Sequence, residues 1–212
     1  MLKARHIFSV MMTTALLATS AHADSLKVGD WVTLQDAPGQ NADHGGGAFI
    51  MTGPGVGNSW ISFCLEATEN ITYSTSYFVG GIGPNAIGGG PGYGVGVGGD
   101  PLDVRTRAIY HKYRTDNSEG WSGRDLQFAI WFLEEETTGQ DNAIVTWANA
   151  YAAGYDFGKD VVLAVNLLTG PNGDHRQDQL MIGSVPEPAS LTLLGTLLAG
   201  TSMAIRRRRG RA

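Results

Sequence analysis

Cys64 is the sole cysteine of this chain, set in Phe63-Cys64-Leu65-Glu66. Gln127 interrupts the apolar run Leu126-Gln127-Phe128-Ala129-Ile130-Trp131-Phe132-Leu133. A single cysteine cannot make an internal disulfide, and a carboxamide inside a buried helix costs free energy unless something satisfies it. One reaction accounts for both residues. Attack of the Cys64 sulfur on the Gln127 carboxamide, with loss of ammonia, leaves an internal thioester. An amide is a poor electrophile, so sulfur and carbonyl carbon must be held in near contact, where fixed geometry supplies the effective molarity. Backbone N–H groups near the glutamine oxygen would stabilise the tetrahedral intermediate. Burial raises a thiol's pKa, so a proton acceptor is needed, and Glu66 and His111 are the candidates. Trp131 lies four residues beyond Gln127 on the same helix face and would wall the carboxamide from water.

These two segments together resemble the thioester domain family of bacterial surface adhesins. Phe63 to Glu66 match that family's aromatic-Cys-apolar-acidic motif. Gln127-Phe128-Ala129-Ile130-Trp131 match its Thr-Gln-x-Ala-apolar-Trp motif, with Leu126 standing in place of the threonine. The resemblance covers roughly residues 58–137. It implies a thioester between Cys64 and Gln127 that acylates an amine on a partner surface protein or matrix component, freeing Cys64 as a thiol. Such self-modification has no turnover, so the chain is expected not to be an enzyme, and no cofactor is implied. Two other classes use the same residues differently. One is a non-covalent structural protein of an exopolysaccharide or biofilm matrix, with Cys64 buried and inert. The other is a secreted hydrolase with a Cys64/His111 dyad.

Other constellations are thinner. Glu134-Glu135-Glu136 reads as a solvated helix end. His44, His111 and His175 lack metal-ligand spacing, and Asp174 and Asp178 lack the EF-hand pattern, so no metal is expected. The glycine-rich loop 80–99 has 11 glycines in 20 positions but no Lys-Ser/Thr pair, and reads as a surface spacer rather than a phosphate cradle.

Both ends of the chain read as export signals. Residues 1–23 combine the basic Lys3, Arg5 and His6 with an apolar middle and Ala21-His22-Ala23, an A-x-A site for signal peptidase after Ala23. At the other end, 185–212 joins Pro186-Glu187-Pro188 to a 17-residue apolar stretch (189–205) and then to Arg206-Arg207-Arg208-Arg209 and Arg211. That length is at the lower limit for crossing a bilayer, and the arginines would hold the end in the cytoplasm. The tripartite tail resembles the PEP-CTERM sorting signal of Gram-negative bacteria. It implies transient insertion of the tail into the inner membrane, cleavage by an exosortase, and delivery to the cell surface or extracellular matrix. Removing both ends leaves a mature charge of roughly −11, which argues against nucleic acid and would draw basic partners.

The elements that must position Cys64 and Gln127 lie in 24–184, one domain's length. Strands are expected at 25–34, 48–52, 59–66 and 71–79, with Trp31 and Trp60 in the core, and late strands at 160–167 and 177–182. Three helices fall between them. One starts at Asp100-Pro101 and ends near Arg114. A second is capped by Ser122 with Asp125 and runs to about Glu136. A third starts at Asp141 and points Ile144, Trp147, Ala148 and Tyr151 inward. The class is α+β: an antiparallel sheet or sandwich with a helical subdomain inserted between early and late strands.

If the tail is a sorting signal, an epitope placed after Arg211 will separate from the domain before the protein reaches the surface. Immunodetection of both in cell fractions checks this, and an epitope still joined to surface protein identifies an ordinary anchor instead.

Overall fold

The computed structural model describes residues 26–41, 46–54, 58–88, 99–138 and 142–184. The signal peptide, His44, half of the glycine-rich loop (89–98) and the tail from 185 lie outside them. The chain builds β1 (Trp31–Asn41), β2 (Gly47–Thr52), β3 (Ser59–Ser62), β4 (Ser76–Gly83), β5 (Asn85–Ala86) and β6 (Asp100–Pro101). Next come α1 (Val104–Thr115), α2 (Gly123–Leu133) and α3 (Ala143–Tyr151), then β7 (Asp160–Leu168) and β8 (His175–Ser184). The large sheet is antiparallel throughout, in the order β3-β2-β1-β4-β7-β8, with β5 and β6 as a separate small pair. The expected α+β class is the one observed, with one curled sheet in place of a two-sheet sandwich.

The curl brings the segment after β3 back to β8 at the opposite edge. Cys64 forms a single antiparallel bridge with Gln179. Leu180 N–H donates to Phe63 O and Leu65 N–H to Asp178 O, each at 3.0 Å. Ser62 Oγ adds a bond to Leu180 O at 2.7 Å. Two edges that would otherwise expose unpaired backbone are thereby joined around Cys64. The strand expected to carry Cys64 therefore ends at Ser62, and the residue sits in a bridge instead.

β1 begins later than its composition suggests, because Lys27 to Asp30 form a turn. Lys27 N–H donates to the Asp30 carboxylate at 2.8 Å, and Gly29 takes the left-handed φ of +98° that the turn needs. Trp31, expected in the core, is 48% exposed at the strand's start. It packs edge-on to its cross-strand partner Phe78 instead. Trp60 is buried as expected.

Local capping chemistry sets the helix ends. Asp103, not Asp100, caps α1, accepting from Arg105 N–H at 2.7 Å; Asp100 and Pro101 belong to β6. Ser122 caps α2, accepting from Asp125 N–H at 3.1 Å and donating to its carboxylate at 2.8 Å. Asn142, one residue later than expected, caps α3 through bonds from Ile144 and Val145 N–H. Tyr151 faces solvent at 60% exposure, contrary to its expected inward position, whereas Ile144 and Ala148 are buried.

α2 is apolar nearly all round because it lies between two cores. Leu126, Ala129, Ile130 and Leu133 pack with α1, α3 and the sheet, while Trp131 belongs to a second cluster with Cys64, Phe49, Met51 and Val79. The helix stops at Leu133, before the expected Glu136, and Glu135 has a left-handed φ of +62°. Glu134, expected in a solvated face, is buried and accepts from Asp103 N–H at 3.2 Å. It ties the end of α2 to the start of α1. Burial pushes its pKa up to about 7.

The unfolded chain ionises Glu134 near the usual carboxylate value, whereas the folded chain keeps its proton until about 7. Stability from the neutral group is therefore full below the unfolded value and is lost as pH rises through about 7. Glu134→Gln is expected to match the parent in acid and to exceed it by about 2 kcal/mol above neutrality. Denaturant titrations at the two pH values check this.

Candidate functional site

The curl of the sheet and the register of α2 bring Cys64 and Gln127 together, though 63 residues separate them. Both are 0% exposed. The Cys64 thiol donates to Gln127 Oε1 at 3.2 Å. The same oxygen accepts from the Cys64 backbone N–H at 3.2 Å and from Gly47 N–H at 3.4 Å. Gln127 Nε2 donates to Cys64 O at 2.8 Å. Oxygen and nitrogen of the carboxamide are thus both held, the sulfur lies against it, and two backbone N–H groups point at the oxygen on which charge would develop. That is the arrangement of an oxyanion hole.

Each partner is fixed by its own element. Cys64 is pinned by the backbone bonds to β8 on either side of it. Gln127 sits in the second turn of α2, whose start is anchored by Gly123 N–H to Gln40 Oε1 on β1 and by Asn142 Nδ2 to Asp125 O. Gly47 opens β2 and faces Asn41 across the bulged end of β1. Gly46 lies under Trp131: a Cβ there would collide with the indole ring and stand 3.2 Å from Gln127 Cγ. Trp131 and Gln127, four residues apart on α2, thus both border Gly46.

The two candidate proton acceptors are placed very differently. Glu66 is buried; its Oε2 accepts from Asp178 N–H at 2.7 Å, while Oε1 has no hydrogen-bond partner. Burial, then repulsion from Asp178, raises its pKa well above the usual carboxylate range. His111 is not brought to the thiol. Its ring lies in α1, bonded to Tyr155 Oη at 3.0 Å and to Asp160 at 3.1 Å, and packed edge-on to Tyr155 and Phe157. A Cys64/His111 hydrolase dyad therefore has no base at the sulfur. Burial raises the Cys64 thiol well above its ordinary value, and the charges of Glu66 and Glu136 add to this, so the resting group is the neutral thiol.

A buried polar cluster adjoins the site. Asp178, 0% exposed, accepts from Asn166 Nδ2, Ile87 N–H and Leu167 N–H, and pairs with His175 at 2.9 Å. His175 also meets Glu69 at 3.0 Å. Burial lowers the His175 pKa, but the bonds to Asp178 and Glu69 outweigh it and carry the pKa up to about 10. Gln177 Nε2 donates to Glu66 O and Glu69 O, steadying the chain just beyond Cys64. Neither this cluster nor Gly46 and Gly47 was singled out from sequence. Their signals are the polar triplet Gln177-Asp178-Gln179 inside an otherwise apolar strand, and the Gly45-Gly46-Gly47 run ahead of β2. Among the described residues, no group of three or more His, Cys, Asp or Glu could hold a metal ion.

The PEP-CTERM protein-sorting motif matches residues 184–209, which include Pro186, Glu187 and Pro188. The chain thus carries the signal of an exported protein sorted by exosortase, destined for the cell envelope or surface of a Gram-negative bacterium. No curated protein and no solved structure shows significant similarity to it. Among the described residues no helix is long and apolar enough to cross a membrane; the apolar stretch 189–205 lies outside them.

Gly46→Ala tests the packing of the site. The added methyl must displace Trp131, so a loss of about 1–3 kcal/mol is expected, with faster labelling of Cys64 wherever its thiol is free. Denaturant unfolding and thiol titration read the two effects.

Proposed function

We propose that this protein carries an internal Cys64–Gln127 thioester and uses it to attach covalently to amine-bearing partners outside the cell. The observation that supports this best is the contact itself: thiol and two backbone N–H groups converge on one carboxamide oxygen in a buried site. In the forming step Sγ bonds to Cδ of Gln127. The C–Nε2 bond breaks, and the nitrogen leaves as ammonia, taking up the thiol proton. The tetrahedral oxygen is held meanwhile by the N–H groups of Cys64 and Gly47. Later an amine nitrogen bonds to the same carbon, the C–S bond breaks, and Cys64 returns as a thiol while an amide joins the two proteins. No turnover follows. The acidic balance of the domain favours ammonium-bearing partners such as lysine-rich surfaces or matrix components, and the export signal supports a setting outside the cell in which adhesion or matrix assembly takes place.

A second reading has its own support. The same hydrogen bonds give both the oxygen and the nitrogen of Gln127 a partner, as a structural glutamine beside an inert buried cysteine requires. That reading gives a non-covalent matrix protein.

Intact mass separates the two. The thioester protein is expected to be one ammonia lighter than its sequence, with Cys64 resistant to thiol reagents until methylamine is added. An unshifted mass and a titratable thiol in fresh protein would sink the covalent reading. The bond would also constrain the unfolded chain as a disulfide does, by about 4 kcal/mol. Cys64→Ala and Gln127→Ala are expected to lower the melting temperature similarly, and the double variant to lose little more. Additive losses would show two independent residues.

A further inference from the structure

We propose that the Trp131 indole N–H serves as the hydrogen-bond donor to the Cys64 sulfur, unmade in the resting thiol and made as negative charge develops on sulfur during formation and cleavage of the thioester. This rests on the thioester reading above. Trp131 is 1% exposed, and its Nε1 has no hydrogen-bond partner. A buried indole N–H ordinarily finds an acceptor, so an orphan one calls for a reason.

Its surroundings supply the reason. The ring edge lies against Gly46, which Gln127 Cγ also borders, and the residue packs in the same buried cluster as Cys64. The two backbone donors at the site, Cys64 and Gly47 N–H, are committed to the carboxamide oxygen. Negative charge on Glu66 or Glu136 opposes ionisation of the thiol, whereas the indole favours the thiolate. Trp131 is thus the side chain placed to stabilise charge on sulfur.

A donor that is unsatisfied in the ground state and satisfied in the transition state lowers the barrier without first stabilising the reactant. In formation the thiol proton departs, sulfur attacks Cδ, and the proton ends on the leaving ammonia. In aminolysis the C–S bond breaks with its electron pair on sulfur, which then takes the proton given up by the attacking amine. Sulfur carries charge in both directions, so one donor serves both.

Trp131→Phe keeps an aromatic ring and removes the N–H. With methylamine as the probe, this variant is expected to lose ammonia and to be cleaved about tenfold more slowly than the parent. Parental rates in the variant would overturn the donor while leaving the thioester standing. A parent that loses no ammonia overturns the thioester instead, and the donor is then judged on the thiol alone. The midpoint of thiolate absorbance must rise by about one pH unit in Trp131→Phe, and an unchanged midpoint rejects the donor. Should Trp131→Phe not fold, the indole N–H resonance of the parent is compared with that of Cys64→Ala. The comparison is made above the midpoint of thiol ionisation, where the bond is made; a resonance that does not move as the thiol ionises refutes the proposal.

Discussion

A carboxamide buried away from water must have its oxygen and nitrogen satisfied, and this domain satisfies Gln127 with the backbone of Cys64 and Gly47. Three separate parts of the chain meet at that one group: the start of β2, the segment after β3, and the second turn of α2. An unpaired buried amide costs a few kcal/mol, so any displacement of one part strains the other two. The sulfur contact is a consequence of this arrangement. Once the Cys64 backbone N–H and carbonyl clasp the carboxamide, its side chain has little room to be elsewhere.

Closure of the sheet makes the clasp possible. β3 and β8 are the outer strands of the six, and they meet through bonds flanking Cys64. Behind that junction lies the cluster of Glu66, Glu69, His175 and Asp178, in which a protonated histidine sits between two carboxylates and the buried Asp178 also accepts backbone N–H groups. Removing one member of such a set leaves a buried charge uncompensated, which is far more costly than the net worth of the pair. The cluster therefore supports the position of Cys64 through the backbone just beyond it, without contributing a group that bonds to the sulfur.

Destination and chemistry are written in different parts of the chain. The PEP-CTERM motif at 184–209 begins where β8 ends, so the sorting signal follows directly on the strand that pins Cys64. The sorting motif is contained in the tail's own sequence. The Cys64–Gln127 site needs the folded domain, because the sulfur and the carboxamide lie on different elements 63 residues apart.

What sequence alone determined is what depends on neighbours a few residues away. The Ser122–Asp125 cap, the all-round apolar character of α2, the α+β order of elements and the sorting tail are all local patterns, and each is legible without the fold. The types of Cys64 and Gln127, with their flanking residues, were equally legible as a pair able to react. The tertiary structure alone decided that their atoms touch, that Gly47 supplies the second N–H, and that Glu66 lies near the sulfur while His111 is bound to Asp160 and Tyr155. It also decided that Glu134 is buried and that Trp31 is not. Each of these depends on where the curl of the sheet carries residues that are distant in sequence. Local periodicity specifies which face of an element is apolar, whereas the partner of that face, and of any polar group on it, is set by the packing of the whole domain.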